Sequence, residues 1–408
     1  MHTKIPTFAI WIFCVVLFLI PWLRFDGTFW PIIVSTKIGH CPLQNCDFLN
    51  HYLPQIQRIS QGDFELQEGW YYPPTLALLF QFLASFSVEQ ASVFWTGFNL
   101  IGMFLLIRLG YTIVSSQSVG LRIMIATTIV STSFPVLSSI KWGQISLWLT
   151  VLCWYAFCNA PKKSPTTGFL IGIAGASKIY PMFYLVYPLL QKQMSSVLYA
   201  ILGFFLLGLL FPILLLGWEQ TLVYYETSFL AGSFIQSIVL RGCQALAPLF
   251  HRWFIDGQHM NPSSLPPLFF SLSSPLFQFL FVLNIIILST LSIRQMIQKT
   301  QLSLPILFCW LGLLSPPGWQ HYFCYLPLCH IQLFQYAQKH SVLLLLFLSI
   351  IIERIPVLLL DRVDGIYYTC SAYGTTGLST LLLLCALLYQ SHSLTKSHDA
   401  LDHKILEK

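Results

Sequence analysis

Charged side chains are scarce in this chain of 408 residues, where Lys and Arg number 21, Asp and Glu number 15, and together they make up 9%. Soluble proteins carry roughly 25% charged residues, so the deficit excludes a soluble globular enzyme and a disordered chain. The net charge of +6 comes without any block of basic residues, which excludes a protein that binds nucleic acid through its phosphates. With 56% hydrophobic residues, the composition indicates a polytopic membrane protein.

Sequence signals of several other protein classes are missing too. The first apolar run is followed by Pro21-Trp22-Leu23-Arg24 and not by a small-x-small cleavage site, so it is interpreted as a retained transmembrane helix. There is no G-x-x-x-x-G-K-[ST] loop for a nucleotide. No internal repeat is found, although repeated halves are common in transporters. The sequence thus gives no sign of a nucleotide site or of repeated transporter halves.

Apolar stretches recur along the whole chain and predict an all-α fold of about 12 membrane segments. They are Thr7–Leu23, Ala91–Ile113, Leu121–Leu137, Ile145–Phe157, Thr167–Ala176, Pro181–Leu190, Val197–Leu216, Leu265–Ile293, Ser303–Leu314, His321–Phe334, Ser341–Leu360 and Thr376–Tyr389. The fifth and sixth have only about ten residues each and are too short to cross alone. They are interpreted as half-helices that meet at Ser177-Lys178-Ile179-Tyr180. Pro73–Ser87 is expected to be an interfacial or re-entrant helix.

The distribution of charge predicts the orientation of the chain. With the N-terminus inside and the segments alternating, the short inside loops are basic and free of acid, as at Lys162-Lys163. The chain is expected to be one multi-pass domain, 1–408, with residues 24–72 as a large first extracytoplasmic loop and residues 391–408 as a cytoplasmic tail. Most unusual polar residues then fall outside, which favours an enzyme whose cavity opens to one compartment.

Two charged residues are the sharpest candidates for chemistry. Asp47 lies beside the membrane with Phe48 and Leu49 after it, and desolvation of its carboxyl would raise the pKa towards that of a useful general base. The alternative is a helix N-cap or an Asx turn. Lys178 between two half-helices would cost about 2.5–3.5 kcal/mol on insertion scales near mid-membrane. It therefore needs water or an anion such as a phosphate, unless it snorkels at the surface.

The cysteines of the first loop have three interpretations. Cys41 and Cys46 form a C-x4-C pair, which predicts a disulfide in an oxidising compartment. Because the chain has 11 cysteines, an odd number, both could instead be unpaired thiols. A zinc site with His40 or His51 is the third alternative, although the spacing fits no standard pattern.

Polar residues at other predicted loops also have alternatives. Gln144 is a candidate sugar ligand, or else a hydrogen-bonding partner between helices, and the neighbouring Lys141 is interpreted as a snorkelling side chain. The guanidinium of Arg241 offers several N–H donors to a phosphate or carboxylate. The alternative is a salt bridge to Glu219 or Glu226. His321 could donate to a phosphate, and Trp319 could stack on a sugar or lie in an aromatic interface belt.

Taken in order, these motifs resemble glycosyltransferase family 87, which belongs to the GT-C class of polytopic transferases. The motifs are Asp47-x-x-x-x-Tyr52, Tyr72-Pro73-Pro74, Gly143-Gln144, Gly175-x-Ser177-Lys178-x-x-Pro181, Gln236-Ser237-x-x-x-Arg241 and Ser315-Pro316-x-x-Trp319-x-His321. They extend over roughly residues 40–325. The chain departs from the family pattern at Ile235 and Ser146, where asparagine is common, and after Trp319, where only His321 of a frequent histidine pair is present.

The resemblance implies an inverting mannosyltransferase with a GT-C-like fold that uses a polyprenyl-phosphate sugar donor and a lipid or glycan acceptor among membrane lipids. It implies that Asp47 is the catalytic base. The donor phosphate would be bound by Lys178, Arg241 and His321. Contacts to sugar and acceptor would come from Tyr52, Tyr72, Gln144, Gln236, Ser237 and Trp319. No metal, cofactor or nucleic acid is expected. The expected location is a bacterial cytoplasmic membrane, or the endoplasmic reticulum membrane in a eukaryote.

Two functions of other classes remain open at this point. A flippase or transporter of lipid-linked sugars would need charged residues on both faces of a central path, and the acid-free inside loops argue against it. A non-catalytic membrane subunit would leave the polar residues scattered. The arrangement of Asp47, Lys178 and Arg241 around one cavity, or their dispersal, separates these alternatives.

Overall fold

A computed structural model of the chain describes residues 7–22, 45–66, 70, 72–159, 165–230, 243–254, 274–315, 318–358 and 366–406. The described residues form helices and no strand, with a single isolated bridge between Cys243 and Trp319. The α-helices are α1 Thr7–Trp22, α2 Leu53–Ser60, α3 Pro74–Leu79, α4 Val88–Ile113, α5 Val119–Ser131, α6 Phe134–Trp142, α7 Ser146–Asn159, α8 Pro165–Ser177, α9 Val186–Leu190, α10 Met194–Phe204, α11 Phe211–Leu216, α12 Trp218–Leu230, α13 Leu246–Phe254, α14 Ser274–Ile297, α15 Ser303–Leu314, α16 Leu326–Tyr336, α17 His340–Leu358, α18 Ile366–Tyr373 and α19 Thr375–Leu406. Short 3₁₀ or π-helical pieces are Phe48–Tyr52, Gln81–Ser85, Tyr180–Leu185, Phe205–Leu210 and Gln320–Phe323.

The chain is an integral membrane protein. In the described part, five helical stretches are long and apolar enough to cross a membrane, and a sixth is added if the bent pair α5 and α6 is one span. The five are Val88–Ile113, Met194–Leu216, Pro275–Ile297, His340–Leu358 and Thr375–Thr395. Other apolar helices have 10–17 residues, which at 1.5 Å per residue is less than the roughly 30 Å of the hydrocarbon core. The expectation of about 12 segments therefore stays a prediction.

One predicted segment has a bend that its hydropathy does not show. Leu121–Leu137 is predicted as an apolar segment that could span, and in the structure the chain bends by 54° between α5 and α6. Pro135 is the second residue of α6; it has no N–H to donate, and its ring would clash with the carbonyl four residues earlier in a continuous helix. Hydropathy is insensitive to this break because both sides are equally apolar.

Other helix boundaries agree with the predicted segments or extend beyond them. The half-helices end and begin where expected, since α8 ends at Ser177 and the next helical piece begins at Tyr180. Pro73–Ser87 forms only α3 and a 3₁₀ turn, which is too short for a span. The predicted cytoplasmic tail, 391–408, is helical as far as Leu406, because α19 continues to that residue.

The chain divides into two compact units, and the first comprises 1–32, 107–135 and 236–408. In it α17 and α15 pack on α19, and α1 packs on α5. Glu353 and Arg354 form a fully buried ion pair. This pair binds the backbone and side chains at the break between α5 and α6. Glu353 Oε1 accepts hydrogen bonds from Ser133 Oγ and Phe134 N, both at 2.7 Å. Arg354 donates to Thr132 Oγ1 at 2.9 Å. The pair therefore supplies partners to the backbone that Pro135 interrupts.

The second unit comprises 33–106 and 136–235. Its central pair is α8 on α10, which approach so closely that a Cβ on Gly168 would lie 2.0 Å from Ser196 O, and one on Gly172 would lie 2.5 Å from Ala200 O. Small residues at four-residue spacing allow such backbone contact between membrane helices. The contact fixes the end of α8, where Lys178 follows.

The predicted first loop is ordered in its described part. A π-helical turn, Phe48–Tyr52, leads directly into α2. Phe48 stacks on Trp95 with ring centroids 4.4 Å apart, and Asn45 Nδ2 donates to Thr96 Oγ1 at 2.7 Å. Cys46 is disulfide-bonded, whereas Cys41, its predicted partner, lies outside the described residues. The segment that carries Asp47 is thus anchored on α4 by aromatic packing and an amide.

Candidate active site

The turn between α6 and α7 is shaped by Gly143, whose φ of +69° lies in the left-handed region. Its carbonyl accepts a hydrogen bond from Trp95 Nε1 at 2.6 Å. A Cβ at this position would lie 2.8 Å from Phe48 Cβ and 2.9 Å from Asn45 Cα. Only glycine therefore lets this turn lie against the segment of Asp47, and the next residue, Gln144, enters the interior.

We expect Gly143→Ala to lower the thermal midpoint of the purified protein by about 2 °C or more beyond the effect of Gly62→Ala, because the added methyl overpacks this contact. Gly62 is the matched control: it also has a positive φ, of +76°, but nothing lies within 4 Å of its Cβ position. Thermal unfolding of both variants in detergent measures the difference. Equal midpoints would show that the close approach is unimportant.

Gln144 is the centre of a buried group that we call the Gln144 cluster: Asp47, Tyr52, Tyr72, Gln144 and Lys178. The Gln144 side chain is 1% exposed. Its Oε1 accepts hydrogen bonds from Tyr52 Oη at 2.9 Å, Lys178 Nζ at 3.1 Å and Tyr72 Oη at 3.3 Å. Its Nε2 donates to Asp47 Oδ2. One amide therefore links an ammonium, two phenols and a carboxylate that come from three separate stretches of the sequence.

Lys178 lies between α8 and the following 3₁₀ turn, and only 3% of it is exposed. Its ammonium is 4.7 Å above the centroid of the Tyr72 ring, a cation–π geometry, and it donates to Gln144. The side chain does not extend to a surface. The structure thus disagrees with snorkelling and gives the buried Lys178 the polar partners that a buried charge requires.

Asp47 immediately precedes the π-helical turn, and its carboxylate makes no capping hydrogen bond there. The side chain is half-buried and accepts the bond from Gln144. The N-cap interpretation is therefore wrong for this aspartate. Asp47 joins the Gln144 cluster through its carboxylate.

The competing carboxylates of the same loop are already paired. Arg58 Nε lies 2.7 Å from Asp63 Oδ2, and Arg58 Nη2 lies 2.9 Å from Glu65 Oε2. The Glu65 backbone N–H and the Arg58 guanidinium lower the pKa of Asp63. A carboxyl with a lowered pKa is a weaker base, so Asp63 is a poor candidate. Glu68 lies outside the described residues.

Half of the predicted site residues are not described together with this cluster. Gln236, Ser237 and Arg241 lie outside the described residues. Trp319 and His321 belong to the first unit, where their rings are nearly parallel with centroids 6.4 Å apart. His321 is 6% exposed. Their roles at the donor phosphate and sugar stay predictions.

Several features of the structure were missed or misjudged from the sequence. Lys141 does not snorkel, because its side chain is fully buried in α6. The Glu353–Arg354 pair was not singled out, although two adjacent charges inside an apolar run signal a paired, buried site. Within the described ranges no group of three or more His, Cys, Asp or Glu side chains could hold a metal. Cys46, being disulfide-bonded, is not available as a zinc ligand.

Comparison with known proteins identifies the family. The family model described as glycosyltransferase family 87 matches residues 70–316, more than half of the chain. The match includes Tyr72, Gln144 and Lys178, whereas Asp47 lies before it. No curated protein and no solved structure matches the chain. The chain belongs to glycosyltransferase family 87 and is a membrane glycosyltransferase that acts on a sugar donor and an acceptor.

Proposed function

We propose that this glycosyltransferase moves a hexose from a polyprenyl-phosphate sugar to a lipid or glycan acceptor at the extracytoplasmic face of its membrane. The hexose we propose is mannose. The observation that carries the proposal is the Gln144 cluster, where a carboxylate and an ammonium share one amide partner. Transfer to a hydroxyl needs a base for the acceptor proton and a cation for the phosphate that leaves. The cluster contains both types of group.

The proposed reaction is a single displacement. Asp47 accepts the proton of the acceptor hydroxyl as its oxygen forms a bond to the anomeric carbon. The bond from that carbon to the phosphate oxygen breaks, and the electron pair leaves with the phosphate. Attack from the face opposite the phosphate inverts the anomeric configuration. Lys178 stabilises the negative charge that grows on the leaving phosphate.

Residues outside the cluster complete the proposal. Arg241 and His321 would add donors to the phosphate, as the family motifs imply. Gln236, Ser237 and Trp319 would contact sugar or acceptor. A disulfide at Cys46, one residue before Asp47, is typical of an oxidising compartment and supports the extracytoplasmic placement of this site.

Transfer from a defined donor tests the proposal. Purified protein is incubated with radiolabelled polyprenyl-phosphate mannose and a lipid extract, and labelled products are separated by chromatography. Parallel reactions use polyprenyl-phosphate glucose and a nucleotide-linked mannose. We expect label to move from the mannosyl lipid only. Transfer from the nucleotide sugar alone would contradict the donor class, and preference for glucose would contradict the sugar.

We expect Lys178→Ala to weaken donor binding by roughly 10-fold or more, because a hydrogen bond to a charged group contributes about 1.5–3 kcal/mol. Binding of a labelled polyprenyl phosphate to the solubilised protein measures the loss. Lys339→Ala is the matched control, since its ammonium also lies over a tyrosine ring, 4.5 Å from the Tyr389 centroid, but is exposed. If both variants bind the lipid as the parent does, Lys178 has no role at the phosphate.

A further inference from the structure

Gln144 has the contacts of a positioning residue and not those of a sugar ligand. A carbonyl oxygen has two lone pairs, yet three donors already converge on Gln144 Oε1. The amide nitrogen donates to Asp47. With 1% of the residue exposed, both ends of the amide are directed at protein groups.

The chemistry of the neighbours fixes the direction of this amide. Lys178 has donors only and an ionised Asp47 has acceptors only, so the oxygen must face the lysine and the nitrogen must face the carboxylate. Rotating the amide by half a turn would set its N–H groups against an ammonium and its oxygen against a carboxylate. Hydrogen bonds in such a chain polarise one another, so the ammonium strengthens the bond that the amide makes to Asp47.

The backbone of Gln144 is held as firmly as its side chain. Its N–H donates to Ser139 O at 2.8 Å, and Ser139 Oγ donates to Gln144 O at 3.3 Å. The preceding Gly143 is packed against the segment of Asp47. A side chain anchored at both ends reaches its reactive geometry without further loss of entropy when substrate binds.

We propose that Gln144 is the positioning residue that aligns the carboxylate of Asp47 with the ammonium of Lys178, acting through these two groups and not on the sugar. This inference rests on the proposed function of Asp47 as the base. Loss of the amide then lowers the turnover of bound substrates more than their binding. Replacement by a carboxyl sets two carboxyls side by side, which raises the pKa of one of them.

The experiment compares Gln144→Glu and Gln144→Met with the parent in the mannosyl transfer assay. We expect kcat to fall by about 10-fold or more with KM for the donor within about threefold, as for an interaction made in the transition state. In Gln144→Glu the acidic limb of the pH profile of kcat/KM should move up by about one pH unit. A raised KM with an unmoved pH profile would overturn the proposal in favour of a sugar contact.

Gln55 is the matched control. It is also fully buried, and its Nε2 donates to Tyr224 Oη at 2.7 Å, outside the Gln144 cluster. Gln55→Glu should leave the pH profile in place even where it lowers stability. A profile that moves equally in Gln55→Glu would show that any buried acid produces the effect.

A second measurement separates this inference from the proposed function. Thermal midpoints of Gln144→Glu, Asp47→Asn and the double variant are measured in detergent between pH 5 and pH 8, which needs no substrate. We expect the double variant, which exchanges acid and amide, to be more stable than the sum of the single effects. If the parent transfers no sugar, this coupling still decides whether Gln144 holds Asp47, and additive effects would refute it.

Discussion

Asp47→Asn is expected to abolish sugar transfer while folding and donor binding stay close to those of the parent. A positioned general base contributes roughly 10²–10⁴-fold, and an amide cannot take the proton from the acceptor hydroxyl. The substitution nearly preserves shape, and the asparagine oxygen can still accept the hydrogen bond that Gln144 Nε2 donates. The measurement is the rate of label transfer at saturating donor, together with lipid binding and the thermal midpoint.

Asp63→Asn is the control for this experiment. Asp63 belongs to the same described segment but pairs with Arg58 at the surface, where solvent screening leaves an ion pair little influence on stability. The rate of label transfer by Asp63→Asn should stay within about threefold of that of the parent. The assignment of the base is wrong if Asp47→Asn retains transfer at this level, and it passes to Asp63 if the two variants exchange behaviour.

Glu353→Ala is expected to cause a large loss of stability, about 3–5 kcal/mol, because it leaves Arg354 buried without its carboxylate. Ser133 Oγ and Phe134 N lose their acceptor at the same time. The loss is measured as a fall in thermal midpoint and in the yield of monodisperse protein after detergent extraction.

Two further variants make this prediction specific. Replacing both charges, Glu353→Met with Arg354→Met, should recover part of the loss, since buried ion pairs are often replaceable by apolar groups of similar volume. Glu89→Ala is the control, because Glu89 is exposed at the start of α4. If the double variant is less stable than Glu353→Ala, the buried pair is not the source of the penalty.

Hydropathy could predict where most helices lie but not which of them span. Long apolar runs such as Val88–Ile113 were found to within a few residues because length and composition determine them. The break before Phe134 was missed, because the mean hydropathy of the chain is similar on both sides of it. The burial of Lys141 was missed too, because the direction of a helix face depends on neighbours distant in sequence.

The residues of the candidate site could be named from motifs, but the contacts between their side chains could not be predicted. Gln144 lies 97 residues after Asp47 and 34 before Lys178, and no local pattern connects them. The sequence also left Gln144 with a sugar role, because a glutamine at a helix entrance has polar atoms whose partners are unknown. Only the packing of the turn at Gly143 shows which groups those atoms meet.

The contact between α8 and α10 restricts insertions and deletions in these helices as well as substitutions. Where main chain lies on main chain, as at Gly168 and Gly172, no layer of side chains can absorb a shift between the helices. Inserting one residue between this contact and Lys178 would turn the lysine by about 100° around the helix axis, away from Gln144. The number of residues between the glycine contact in thirteen-residue α8 and Lys178 is therefore fixed by the packing. Relatives that vary in loop length are expected to keep this number unchanged.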